Sequence, residues 1–137
     1  MEAYQAAHAT EQHGLASEAD FGADRVWRFQ MSAAPAAKPV VDRIAAALQP
    51  LGIAWAGETS HAGSDVQPLV ARGAARFALT QDGTRYFDIH HTADDTLDKI
   101  DRGQLRQAVA AWAVVLATAA DSPEPFGPVT PSTSAGH

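Results

Sequence analysis

The chain has 137 residues, 46% of them hydrophobic and 19% charged; this composition can bury a core, and the length suits one domain or one part of a larger one. No apolar run approaches the roughly 20 residues of a membrane span, and residues 1–4 have neither the basic start nor the apolar core of a signal peptide. Sixteen acidic against ten basic residues leave a net charge of −6, which argues against a nucleic-acid or anionic-membrane surface.

No cysteine is present. That excludes a disulfide framework, a thiolate zinc cluster and a cysteine nucleophile, so any metal must be held by His, Asp or Glu.

Residues 2–13 are rich in helix formers and run to Gly14, a suitable residue just past a helix end. Residues 15–22 are too short for a helix and read as a strand entering a loop, while 25–29 alternate basic and bulky apolar side chains as a half-buried strand does. Pro35 and Pro39 bracket the entry to a helix over 38–49. Its stripe is Val40, Val41, Ile44, Ala45 and Leu48, and Pro50 and Gly52 stop it.

Residues 53–56 form a short apolar strand leading into a polar loop over 57–65, where Asp65 can cap a short helix reaching about Arg72. Residues 76–80 are a further strand, followed by a turn over 81–84. Residues 85–101 read as a polar loop with two adjacent histidines and five aspartates. Gln104 to Ala120 is a long helix, with Leu105, Val109, Trp112, Val115 and Leu116 expected to face the core. The chain from Asp121 is rich in Pro, Ser and Thr and reads as a disordered tail over 121–137. Alternating strands and helices predict an α/β layered architecture, with a sheet thin enough to suggest that part of it is missing.

Three segments hold side chains suited to chemistry. His90-His91 with Asp94 and Asp95 just downstream could supply an imidazole ligand and a carboxylate that orients it. On spacing alone the reading as a solvated loop capping the next helix comes first, because one histidine pair does not make a metal site. Glu18-Ala19-Asp20 ends a strand, where α/β folds place ligand-binding groups, although such carboxylates also serve as caps or surface charge. His61, Ser64 and Asp65 lie too close in sequence for a hydrolase triad and lack a Gly-x-Ser-x-Gly elbow, so a structural loop is expected there. His8 and His13, five residues apart, do not share a helix face and read as surface residues, and His137 belongs to the tail.

Taken together, Glu18-Ala19-Asp20-Phe21-Gly22, Gly63-Ser64-Asp65-Val66-Gln67-Pro68-Leu69 and His90-His91-Thr92-Ala93-Asp94-Asp95-Thr96-Leu97-Asp98 resemble the zinc-dependent M28 peptidases, aminopeptidases and carboxypeptidase Q-like dipeptidases among them. The likeness covers about residues 2–120. It implies a three-layer sheet with flanking helices, here incomplete at its N-terminal side. It also implies a pair of zinc ions activating a water for peptide-bond hydrolysis.

Carried over, Asp20 matches the aspartate ligand of one zinc and His91 the histidine of the other. His90 matches a group able to donate to the oxyanion, Asp95 and Glu18 support the ligands, and Ser64 and Asp65 shape the substrate pocket. The family's His-x-Asp element and Glu-Glu pair, which bring the remaining ligands and the general base, find no match before Asp20. The resemblance therefore implies the C-terminal part of a catalytic domain, inactive alone. Its parent would take peptide or dipeptide substrates and bind neither nucleic acid nor membrane; a homodimer is compatible with it. Members of this family are often exported, and a signal peptide would then precede Met1. Two other readings remain open: a non-catalytic relic or peptide- or metal-binding module, and a plain structural domain.

Overall fold

A computed structural model describes residues 2–58 and 62–129. Within them, four strands form a mixed sheet in the order β1-β4-β2-β3: β1 (Leu15–Ala16), β2 (Val26–Ser32), β3 (Ala54–Trp55) and β4 (Ala75–Gln81). The central pair, β2 and β4, is antiparallel; β1 joins β4 and β3 joins β2 in parallel. This is the α/β architecture that the alternation of elements predicts.

The period of two explains the sheet's inner face. Phe29 and Met31 on β2, with Ala75, Phe77 and Leu79 on β4, are buried on alternate positions. At β2's start the register slips between Val26 and Arg28, a bulge that leaves Trp27 exposed beneath the Arg28 guanidinium.

Two helices cover this face and pack on each other, α2 (Lys38–Leu48) and α5 (Arg102–Ala120). Val40, Val41, Ile44 and Leu48 of α2 are buried as their spacing predicts. In α5 the buried positions are Ala108, Ala111 and Val115. Of the expected core stripe, Trp112 is partly buried while Leu105, Val109 and Leu116 are exposed. The reason lies in close approach: α5 meets α2 and the sheet through alanines, so its contact line lies about one residue, near 100°, from the line of its largest side chains.

Gln107 fixes α5 to the start of β2. Its amide accepts from the Val26 N–H at 3.0 Å and donates to the Val26 carbonyl at 2.7 Å, replacing a strand partner. Asp101 caps the helix by accepting from the Gln104 N–H at 2.8 Å.

Other expectations need correction. The first helix, α1, covers only Glu2–Ala7 rather than 2–13. Tyr4, with its ring stacked on His8 and its hydroxyl paired with the His13 ring at 3.0 Å, draws both histidines together although they are five residues apart. The helix α3 (Gln67–Ala71) has no side-chain cap, and Asp65 is not its first-turn acceptor. The span 85–101 is not all loop, since it holds α4 (Tyr86–Ile89) and a 3-10 turn at Leu97–Lys99.

Residues 121–129, expected to be disordered, pack back on the domain. Phe126 is buried in the core, its carbonyl accepts from the Ala34 N–H, and Val129 donates to the Gly73 carbonyl. His61, His137 and the tail beyond residue 129 lie outside the described residues.

Candidate active site

The segments singled out by sequence converge at one end of the sheet. After β1 the chain continues alongside β4: the Ser17 hydroxyl donates to the Phe77 carbonyl at 2.8 Å, and the Gln81 side-chain amide donates to the Gly22 carbonyl at 2.6 Å. Asp20 is thus carried to the C-terminal end of β4. From that same end the turn 82–85 leads into α4 and on to His90 and His91. Two neighbouring parallel strands therefore deliver both groups past their carboxyl ends, the place where α/β sheets bind ligands.

A cavity of about 510 Å³ lies there, lined by Asp20, Tyr86, His90, His91 and Asp95 among others. Asp20 also forms part of a second cavity, of about 320 Å³, with Glu18, Phe21, Ser64 and Thr80. Glu18 ties the loop carrying Ser64 to the strand end, because its Oε2 accepts from the Asp65 N–H at 2.8 Å. Asp65 reaches the site through this backbone amide.

His91 stands out by its backbone. At φ 58° it is the one non-glycine residue in the left-handed region among the described residues, a conformation costing about 1–2 kcal/mol. His is among the residues that enter this region more readily than most. The turn after it is held by Thr92, whose hydroxyl donates to the Ile89 carbonyl at 2.7 Å. Further on, the Thr96 hydroxyl donates to Asp98 at 2.6 Å and is the main cause holding that carboxyl below its ordinary range. Arg85, just before α4, pairs with Asp24, and this bond raises the guanidinium pKa still further.

The aromatic side chains here escape a reading by motif. Phe21 stacks on Tyr86 with centroids 4.2 Å apart, Tyr86 on His90 at 4.4 Å, and His90 on His91 at 3.6 Å. Phe21 and Tyr86 are ordinary hydrophobic residues in sequence, and nothing in the spacing pairs them. Gln81 was missed as well, although its place in the inward register of an alternating strand is a usable signal.

A carboxylate and an imidazole are donors that zinc accepts, and Asp20 and His91 line one cavity. In type and placement they fit part of a zinc site. Among the described residues no group of three or more His, Asp or Glu side chains is arranged to hold a metal ion, so the set is incomplete within them. No hydrogen bond among the described residues joins the Asp95 carboxylate to either imidazole.

No protein-family model matches the chain. Carboxypeptidase Q from Homo sapiens is 31% identical over 113 residues, which are 82% of this chain and 24% of that protein. The same enzyme from Rattus norvegicus is 30% identical over 112 residues, again 82% of this chain and 24% of the relative. The chain thus spans about a quarter of the length of the curated relatives it matches. The crystal structure of a peptidase M28 precursor from Shewanella amazonensis SB2B superposes with a TM-score of 0.87 at 37% identity, over 95% of this chain and 30% of that one. With that agreement in fold, and with the three motif segments gathered at one end of the sheet, the chain is an M28 peptidase-like domain.

Proposed function

We propose that this domain is the part of a zinc exopeptidase that contributes Asp20 and His91 to a pair of metal ions, one donor to each. The observation that supports the reading is their meeting in one cavity beyond the ends of β1 and β4. The remaining ligands and the general base come from sequence outside these 137 residues. Bound zinc supplies a polarised carbonyl and a water of lowered pKa.

The chain's own residues orient the substrate. His90 lines the same cavity, and its role on this reading is to donate a hydrogen bond to the oxygen that becomes an oxyanion. Glu18, by holding the Asp65 amide, keeps Ser64 in the wall of the adjoining cavity, where it borders the substrate's free terminus. Substrates on this reading are peptides or dipeptides with a free amino terminus. A second reading, a non-catalytic peptide- or metal-binding module, draws on the lack of a three-donor group among the described residues.

Titration calorimetry with zinc chloride, together with assays on an amino-acid anilide and a dipeptide, tests the proposal. The expected result is weak zinc binding, further weakened by Asp20→Ala and by His91→Ala, and no turnover by the 137-residue chain. Zinc affinity indifferent to both substitutions would overturn the assignment of the donors. Turnover abolished by His91→Ala would overturn the incompleteness of the site.

A further inference from the structure

Asp20 and His91 belong to separate segments, and no hydrogen bond or ion pair among the described residues links their side chains. Besides the Gln81–Gly22 hydrogen bond and the Arg85–Asp24 ion pair, those segments are connected by a run of four rings. Phe21, next to Asp20, stacks on Tyr86 at 4.2 Å and 21°; Tyr86 stacks on His90 at 4.4 Å and 24°; His90 stacks on His91 at 3.6 Å and 23°. We propose that this stack is a strut that sets the spacing and orientation of His91 relative to Asp20, with Phe21 and Tyr86 acting as positioning residues. The metal part of the inference rests on the reading of Asp20 and His91 as zinc donors.

Several features of the backbone are arranged around the stack. A Cβ at Gly83 would lie 2.3 Å from the Phe21 ring, so a side chain in the turn after β4 would push that ring from its place. Gly22, at φ +75°, brings its backbone to the Tyr86 ring, where an added Cβ would lie at 3.5 Å. Phe87 closes on the stack edgewise, 5.0 Å from Tyr86 and 6.4 Å from Phe21. At the other end, the left-handed backbone of His91 turns its ring onto His90 immediately after α4. An exposed, strained histidine whose ring has no hydrogen bond among the described residues needs another source of orientation, and flat-on stacking supplies it. A rigid donor pair also pays less ordering entropy on binding an ion than a mobile pair does.

The strut is tested on the 137-residue chain with Tyr86→Leu, Tyr86→Phe and Phe21→Leu, with circular dichroism and thermal melting confirming the fold. Without metal, the imidazole NMR signals of His91 should lose their ring-current shifts in Tyr86→Leu and in Phe21→Leu, and keep them in Tyr86→Phe. Zinc affinity should fall about five- to tenfold in the two leucine variants and stay within about twofold in the phenylalanine variant, a change on the scale of one stacked pair.

Unchanged His91 signals in Tyr86→Leu would overturn the strut. So would a Phe21→Leu effect confined to Tyr86, which marks local packing only. If Tyr86→Phe proves as damaging as Tyr86→Leu, the phenol oxygen and not the ring carries the effect, and the inference fails. Zinc affinity unaltered by His91→Ala would instead sink the metal reading, while the metal-free spectra still decide the strut.

Discussion

Gly63 sits at φ +105°, and a Cβ added to it would fall 2.1 Å from the Glu18 carboxylate that holds the Asp65 amide. Gly63→Ala should therefore destabilise the domain by about 1–3 kcal/mol, the cost of a side chain in such a backbone region, with chemical denaturation as the measurement. Asp98 offers a second check. Its carboxyl is held below the usual range chiefly by the Thr96 hydroxyl, so Thr96→Val should move its NMR-monitored pKa up toward 3.8. A depressed folded pKa adds stability that is present above the unfolded value and is lost as pH falls through the folded one. Thr96→Val should accordingly make unfolding less sensitive to acid below about pH 4, the ordinary carboxylate range. At this scale the meeting of Asp20 and His91 at one cavity was legible through the family resemblance that their segments carry. Phe21 and Tyr86 were not, since a stack between segments far apart in sequence leaves no local period. The left-handed backbone of His91 was equally hidden, as no glycine or asparagine marks the position.

Among the elements, α2 was legible almost to the residue: its buried positions recur at helical spacing and prolines and a glycine punctuate its ends. The same logic failed on α5, where the large apolar side chains mark one line and the packed alanines another. Leu116→Ser and Val109→Ser should thus change stability by no more than about 0.5 kcal/mol, as exposed substitutions do, whereas Ile44→Ala should cost about 2–5 kcal/mol in the same melts. The segment after α5 was misread for a related reason. Its composition is that of a disordered chain, and one aromatic residue, Phe126, reverses the outcome by entering a core built from distant elements. Phe126→Ala should cost about 3–5 kcal/mol; a neutral result would detach residues 121–129 from the folded unit.

Across the whole molecule, the sheet places chemistry beyond one end and packing on one face. The antiparallel pair β2 and β4 carries the core, and the parallel neighbours β1 and β4 aim Asp20 and His91 beyond their carboxyl ends. The α/β class could be read from sequence, because alternation of elements is a linear signal, and the convergence of the three motif segments was implied by the family resemblance. Strand order could not be read, since β1 pairs with a strand far along the chain, Leu15 opposite Ala75.

The account stands on Asp20 and His91 receiving zinc, and a titration of the isotope-labelled chain with zinc chloride followed by NMR tests this most directly. The account predicts that the first signals to shift are the His91 imidazole and the backbone around Asp20, and that His91→Ala abolishes both responses. Shifts centred instead on His8 and His13, which Tyr4 draws together in the N-terminal segment, with Asp20 and His91 unmoved, would contradict it.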